Sequence, residues 1–567
     1  MGNGWRRKVS SSLVPTEPQR LFKDVVAGLQ GAVSSLPGGM ATAVLAGVHP
    51  IQGLYACVAG PVAGGLTAGT RLVIITTTGA VALAAGSALH NVTQADRPGA
   101  VALLTLLAAA ALIAFGLLHF GRYTRFVSHS VMMGFLTGIS VNIVCGQLGG
   151  LTGVKAHGNV AIDQAIYVLV HPLRFNPPTL LTGLSALAIV AVLDRTRLAQ
   201  AGPVLAVIVP TLLVAAAGAS SVARVKDMGS IPAGIPAPAL PDFRLFSSGM
   251  VSGALAVAVI IVVQGAGVSE VARAGKLGPP PINQDVLAEG IGNVAASLLH
   301  GIPVGGSLGQ TAVNVKAGAR TRLAAVACGA WMAVILAAFS GAVGDVAIPT
   351  LSAILIYFGL SSFRLAELRT IMRTGPGSQV ALVTTLIATL LLPVAVAVGV
   401  GVALSLLLKL NHDAMDVSLV ELIPLDDGRL AECEPPQELE SNRVTILDVY
   451  GSLVFAGSWT LQDLLPKPAP RAVLVVRLRG RTALGATFLK VMGDYADILA
   501  DFGGRLYLSG LSDDNIAWLR GSGRVGESIQ LVGARPVLGE STYAAYLKAA
   551  TWLTAERQDH GHQDSRD

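Results

Sequence analysis

The chain has 567 residues, of which 52% are hydrophobic and only 13% are charged. Soluble domains carry roughly 25% charged residues, so this composition excludes an ordinary soluble protein and indicates a large membrane domain with room for one soluble domain. The formal net charge of +6 does not indicate a nucleic-acid partner, because the basic residues lie in short loops between apolar segments.

Apolar segments follow one another from about residue 22 to about residue 410, each close to the twenty residues that a bilayer requires. About fourteen can be drawn, several of them short or interrupted by glycine and proline. With the N-terminus in the cytoplasm, the inside loops collect basic residues, as expected of a multi-pass protein of the cell membrane. These are Arg122, Arg125, Arg195, Arg197, Arg273, Lys276, Lys316, Arg320, Arg322, Arg364, Arg369 and Arg373. An even number of spans returns the C-terminus to the cytoplasm.

Two interruptions of the apolar pattern occupy similar places in the two halves of the membrane region. One is Thr76-Thr77-Thr78-Gly79, and the other is the glycine-rich run from Gly301 to Gly309, after which we predict a short helix from Thr311. Gly, Ser and Thr begin helices because they leave backbone N–H groups free or capped, and these donors lie at the positive end of the helix dipole. The two breaks therefore predict an anion site between inverted repeats of a secondary transporter.

Beyond residue 412 the composition changes. Residues 413–440 are acidic and contain proline, as expected of a linker, and residues 441–552 predict a soluble α/β domain. RVTILDV, AVLVVRL and RLYLSGL are strand-like, whereas LGATFLKVMGDYADILADF has helical spacing. We expect residues 1–21 to form a cytoplasmic N-terminal segment and the polar residues 553–567 to form a disordered tail.

Four regions, in order, resemble the SulP (sulfate permease) family of anion transporters. The first three are DVVAGLQGAVSSLPGGMATAVLAGVHPIQGLY (24–55), FVSHSVMMGFLTGISVNIVCGQL (126–148) and INQDVLAEGIGNVAASLLHGIPVGGSLGQTAVNVKAGARTRL (282–323). The fourth is the C-terminal region, which resembles a STAS domain. The resemblance covers about residues 20–550.

The resemblance implies an α-helical membrane protein with 14 transmembrane segments in a 7+7 inverted repeat. The repeats would interlock into a core and a gate domain over residues 22–412, followed by a cytoplasmic STAS domain. It also implies a homodimer and an elevator mechanism, in which the substrate binds between two half-helix N-termini and spans one and eight. The implied function is secondary active transport of a small anion such as sulfate, bicarbonate or a carboxylate.

Carried onto this chain, the resemblance gives a set of candidate substrate-binding residues. They are Met40, Thr76, Thr77, Thr78, Gly79, Gln264, Gly306, Ser307, Leu308, Gly309, Gln310 and Thr311. The sequence predicts no cofactor, no metal site and no catalytic constellation, so we expect no enzyme activity. The coupling ion stays open between H⁺ and Na⁺.

The chain departs from the family pattern at this site, above all in span eight and span ten. Many members carry an acidic residue where Gln264 stands and an arginine where Gln310 stands, and we expect the two amides to form a hydrogen bond across the site. Attraction for a divalent anion should then be weaker, and coupling through a span-eight carboxylate should be absent. In span one, Pro37 should break the helix beside Met40.

Two alternatives to anion transport stay open. The neutral glutamines also fit a carrier of uncharged or weakly acidic solutes with the same fold. The soluble domain fits a membrane sensor in which transport is vestigial.

Overall fold

The computed structural model describes residues 18–121, 128–158, 160–196, 198–199, 201–228, 234–273, 281–425, 429–454, 456–481, 484–523 and 528–563. The chain divides into two compact units, Met1–Ser405 and Leu406–Asp567. Among the predicted inside-loop residues, Arg122, Arg125, Arg197 and Lys276 lie outside the described part, as do most of residues 1–21.

The first unit is helical. Its first half contains α1 (Pro18–Leu45), α2 (Pro50–Ala59), the strand β1 (Ile75–Thr76), α3 (Gly79–Ala88), α4 (Arg97–Leu117), α5 (His129–Thr152), α6 (Ala161–Val170), α7 (Pro177–Leu193) and α8 (Gly202–Ala216). Its second half contains α9 (Ser248–Arg273), α10 (Ile282–Leu298), the strand β2 (Gly305–Gly306), α11 (Leu308–Lys316), α12 (Leu323–Gly344), α13 (Ile348–Ser361), α14 (Leu365–Thr374), α15 (Pro376–Leu391) and α16 (Val394–Met415). The boundary between the two units falls within α16.

Within the described residues, five helical segments are long and apolar enough to cross a membrane by length and composition. They are Arg97–Leu117, His129–Thr152, Ser248–Gly265, Leu323–Gly344 and Ile348–Thr374. Several further apolar helices are shorter, such as Gly79–Ala88 and Pro177–Leu193. The count of fourteen spans therefore stays a prediction.

The first helix corrects one expectation. α1 continues through Pro37 to Leu45 as a single helix, so the predicted break at Pro37 is wrong. A proline inside a membrane helix is tolerated where neighbouring helices pack closely around it. α1 and α2 pack at glycines, because a Cβ placed on Gly53 would collide with the carbonyl oxygen of Gly39. This contact holds the two helices at a distance that no larger residue allows.

The second unit is a six-stranded sheet with helices. The strands are β3 (Ser418–Pro424), β4 (Leu430–Cys433), β5 (Val444–Tyr450), β6 (Val473–Arg477), β7 (Arg505–Leu511) and β8 (Ile529–Gly533). The helices are α17 (Ala456–Leu464), α18 (Ala486–Asp501), α19 (Asp513–Gly521) and α20 (Glu540–Gln563). The strand order is β4-β3-β5-β6-β7-β8, with β5 to β8 parallel and both β3 pairings antiparallel.

The predicted α/β domain is confirmed, but its borders differ from the expectation. Residues 413–440 are not a plain linker, since they contribute β3 and β4 to the sheet. Leu419 and Leu422 of β3 are buried among the apolar residues of this unit, which supplies the physical reason for the pairing. At the other end, α20 extends to Gln563 and so overlaps most of the predicted disordered tail.

We predict that Gly53→Ala lowers the thermal unfolding midpoint of the detergent-solubilised protein. The added methyl group collides with backbone rather than with a flexible side chain, and overpacking of this kind costs about 1–3 kcal/mol. Gly341→Ala in α12 is the matched control, because a Cβ there meets no atom within 4 Å. Intrinsic tryptophan fluorescence during heating measures both variants, and an equal midpoint for the two would contradict this account of the α1–α2 contact.

Candidate functional site

The two predicted breaks are joined by a short backbone bridge. β1 and β2 pair in antiparallel fashion, with Ile75 opposite Gly306 and Thr76 opposite Gly305. The N–H of Ser307 donates to the carbonyl oxygen of Ile74 at 3.0 Å. These bonds satisfy backbone groups of two unwound segments, which in a membrane would otherwise be left without partners.

A short helix leaves the bridge from each segment. α3 begins at Gly79, and the Thr78 hydroxyl caps it by accepting from the N–H of Val81 at 3.4 Å. α11 begins at Leu308, and the Ser307 hydroxyl caps it by accepting from the N–H of Gln310 at 3.3 Å. Because the strands are antiparallel, the helices run away from the bridge in opposite directions, and both N-termini lie beside it.

The predicted start of the second helix was therefore three residues too late. Ser307, not Thr311, is the capping residue of α11. The Thr311 hydroxyl instead accepts from the N–H of Ile74 at 3.0 Å, so this residue fastens α11 to the segment before β1. Serine is strongly preferred at a helix N-cap, so α11 begins directly after Ser307 although glycines stand nearby at positions 306 and 309.

Each of the two glutamines accepts a hydrogen bond from a hydroxyl on a different segment. The Gln264 amide oxygen on α9 accepts from the hydroxyl of Thr78 at 3.2 Å. The Gln310 amide oxygen accepts from the hydroxyl of Ser34 on α1 at 2.9 Å. Within the described residues no hydrogen bond joins the two amides, so the expected bond across the site is wrong. Each amide oxygen is instead bonded to the hydroxyl of a neighbouring segment.

The first turns of the two helices offer backbone donors. The first N–H groups of a helix have no partner within it, and the caps occupy only one in each of these helices. The remaining ones belong to Gly79 and Ala80 in α3 and to Leu308 and Gly309 in α11. A Cβ placed on Gly309 meets no atom within 4 Å, so space is open beside this exposed residue of the first turn of α11. Oriented N–H groups at two positive dipole ends can bind an oxyanion with no charged side chain.

The remaining predicted residues are buried. Thr76 and Thr77 are buried, and their hydroxyls lie 3.4 Å and 3.7 Å from the sulfur of Cys57. Met40 is fully buried in the main apolar cluster of the helical unit. Gly306 carries the β2 end of the pairing. Their part in substrate binding stays a prediction.

Comparison with known proteins identifies the family of this chain. Residues 21–388 match the Sulfate permease family. The chain belongs to this family. A probable sulfate transporter of Mycobacterium tuberculosis (strain CDC 1551 / Oshkosh) is 29% identical over 354 residues, which are 62% of this chain and 63% of the relative. The chain thus matches less than two thirds of that relative's length.

Two solved structures show the fold of this sulfate permease family member. Murine Solute Carrier 26 family member A9, an anion transporter solved in the inward-facing state, is similar with a TM-score of 0.79 at 17% identity, covering 96% of this chain and 93% of that one. The transmembrane domain of the cyanobacterial bicarbonate transporter BicA gives a TM-score of 0.59 at 21% identity, covering 69% of this chain and 98% of that one.

Sequence reasoning missed one residue that touches the bridge. Glu289 on α10 is 2% exposed, and one of its carboxyl oxygens accepts from the N–H of Gly306 at 2.9 Å. Asn293, one turn later, accepts from the N–H of Val304 at 2.9 Å and donates to the carbonyl oxygen of the same residue at 2.6 Å. Both side chains thus hold the segment that leads into β2. An acidic residue inside an apolar span is the signal that could have found Glu289.

We predict that Thr78→Val destabilises the helical unit by about 0.5–2 kcal/mol, the usual effect of losing an N-cap hydroxyl. Valine keeps the shape of threonine, so the change removes the bonds to Val81 and Gln264 and little else. Thr370→Val is the control, since this exposed threonine bonds only within α14. Thermal unfolding compares the variants, and equal stability would show that the hydroxyl does not cap α3.

Proposed function

We propose that the protein is a secondary active transporter of small anions, with sulfate, bicarbonate and carboxylates as the substrate class. The observation that carries the proposal is the convergence of two capped helix N-termini on one backbone bridge, with open space in front of Gly309. Backbone donors suit an anion in a membrane because they supply positive potential without the cost of a buried ionised side chain.

The relatives support the same substrate class. The mycobacterial relative carries the name of a probable sulfate transporter, the murine structure is described as an anion transporter, and the cyanobacterial one as a bicarbonate transporter. Membership of the sulfate permease family is consistent with these descriptions. The three descriptions have a small anion as the transported substrate in common.

The mechanism we propose is an elevator movement. Fourteen spans in a 7+7 inverted repeat would form a core that contains α3 and α11 and a gate against which the core moves within the bilayer. The antiparallel bridge supports this scheme, because it ties the two half-helices into one element that can move as a body. We extend the proposal to a homodimer with both termini in the cytoplasm and a STAS-type assignment for the β3–β8 sheet unit.

A second candidate function is a carrier of neutral or weakly acidic solutes. The observation that favours it is the pair of neutral amides, Gln264 and Gln310, each of which accepts a hydrogen bond from a hydroxyl close to the bridge. An amide both donates and accepts hydrogen bonds, so it suits a ligand that does the same. The panel of substrates in the next experiment separates the two functions.

We predict that Gly309→Leu abolishes saturable uptake in proteoliposomes while leaving the fold intact. A Cβ at this position meets no atom within 4 Å, and we expect the leucine side chain to occupy space that the substrate needs. Labelled sulfate, bicarbonate, a dicarboxylate and uracil are offered to the wild type and to the variant. Gly341→Leu is the matched control, since a Cβ at this exposed α12 position also meets no atom within 4 Å.

The outcomes of this experiment distinguish the two candidate functions and test the position of the site. Anion uptake that Gly309→Leu removes and Gly341→Leu retains supports the proposed site. Uptake of uracil alone supports the second candidate. Unchanged anion uptake in Gly309→Leu places the substrate elsewhere.

We predict that Gln310→Arg shifts selectivity toward divalent anions. An arginine at this position adds one positive charge beside the first turn of α11, and a second negative charge on the substrate gains from it. We expect the ratio of sulfate to bicarbonate uptake to rise about tenfold, which corresponds to ~1.4 kcal/mol. Gln310→Met, which removes the polar group without adding charge, is the control. An equal ratio in the two variants would contradict a substrate position near Gln310.

A further inference from the structure

Glu289 has a carboxyl group with one partnered and one unpartnered oxygen. Oε1 accepts from the N–H of Gly306, whereas Oε2 is buried and has no hydrogen-bond partner among the described residues. The side chain is 2% exposed and lies in a helix of the membrane unit. An ionised carboxylate with a bare oxygen is costly in such a place, and a proton on Oε2 removes the unpaired charge.

The carboxyl lies close to two glycines that adjoin residues of the proposed anion site. Gly306, its hydrogen-bond donor, is followed by Ser307, the cap of α11. Gly265 on α9 gives it room, since a Cβ there would lie 2.6 Å from Oε1, and Gly265 follows Gln264. Gln264 in turn accepts from Thr78, the cap of α3. The two glycines beside the carboxyl, Gly306 and Gly265, are therefore each the sequence neighbour of a residue of the proposed anion site.

The charged surroundings do not supply a counter-ion for this carboxyl in the described residues. Asp285, one helical turn earlier on α10, accepts from the N–H and the hydroxyl of Thr70, at 2.8 Å and 2.5 Å, and its charge acts on Glu289 with the same sign. Arg322 interacts electrostatically with Asp285. On the other elements packed against α10, the titratable or charged residues include Tyr55 and Cys57 on α2 and Arg97 at the start of α4. α9 carries Glu270 and Arg273 near its end, and the side chains of these two residues lie outside the described part.

A proton fits this position better than a metal cation. Sodium-like and calcium-like ions need several oxygen ligands around them, and the carboxyl offers one free oxygen. No group of three or more potential metal-ligating side chains occurs among the described residues. A proton needs only the one oxygen that is free.

We propose that Glu289 is the proton-binding residue that couples anion transport to the proton gradient. This inference rests on the proposed function. The ionised carboxylate would repel an anion held between α3 and α11, and protonation of Oε2 from the side to which the site is open would remove that repulsion. Proton and anion then bind together, cross together, and leave together when the carboxylic acid releases its proton on the other side.

The coupling has a defined sign. Since protonation favours the anion, anion binding must favour protonation by the same factor. The concentration that half-saturates uptake should fall as the pH of the loading side falls, and an inward proton gradient should drive anion accumulation. Coupling free energies between sites commonly correspond to fivefold effects or more, so we expect about that change between pH 8 and pH 6.

The test uses the full chain in liposomes that hold a pH-sensitive dye. Wild-type protein should show anion accumulation driven by an inward proton gradient, with dye-reported proton entry that requires the anion. Glu289→Gln should keep exchange of labelled for unlabelled anion across the membrane, because glutamine Oε1 can still accept from Gly306. It should lose both the driven accumulation and the proton entry, and its half-saturating concentration should no longer change with pH.

Two further measurements keep the outcomes distinct. Glu434→Gln, the same chemical change at an exposed position of the sheet unit, should behave as the wild type. Infrared difference spectra between low and high pH should contain a protonated-carboxyl band that Glu289→Gln removes. The inference is overturned if Glu289→Gln retains gradient-driven accumulation, if its pH dependence matches the wild type, or if the infrared band persists. Failure of the proposed function is a different result, namely no exchange of any anion by the wild type.

Discussion

The structure of the helical unit depends on one constraint, which is that backbone N–H and C=O groups need partners inside a membrane. The chain interrupts its apolar segments twice, and each interruption exposes backbone that a continuous helix would have satisfied. β1 and β2 provide hydrogen-bond partners for the backbone of both interruptions by pairing with each other. The bonds of Asn293 to Val304 and of Thr311 to Ile74 satisfy further groups around the pair. The N–H groups in the first turn of α3 and of α11 are left without backbone partners, and these donors form the proposed site.

The charges around the bridge are arranged in two layers. In front, toward the open space at Gly309, the side chains are hydroxyls and amides, and the positive potential comes from helix ends. Behind, against Gly306, lies the carboxyl of Glu289. A neutral front layer leaves selectivity to hydrogen-bond geometry, while a titratable group behind it can change the potential without contacting the substrate. The neutral amides of Gln264 and Gln310 are thus accompanied by a buried acid on α10.

The sequence allowed prediction of the features that are written in local patterns. The two breaks, the strands β5, β6 and β7, and the helix α18 follow from glycine, threonine and periodicity. It did not allow prediction of which side chains meet across distant segments. The partners of Gln264 and Gln310 are Thr78 and Ser34, 186 and 276 residues away, and no local rule selects them. The predicted helix break at Pro37 is wrong because tertiary packing accommodates the proline, and the predicted start of α11 is wrong because Ser307 caps the helix within the glycine-rich run.

The central claim is that an anion binds between the first turns of α3 and α11. The most direct measurement is a structure of the protein with selenate, an oxyanion whose selenium can be located by anomalous scattering. The account predicts one selenium site within hydrogen-bonding reach of the capped ends at Thr78 and Ser307, absent from Gly309→Leu. A selenium site away from the bridge, or an unchanged site in Gly309→Leu, would contradict it.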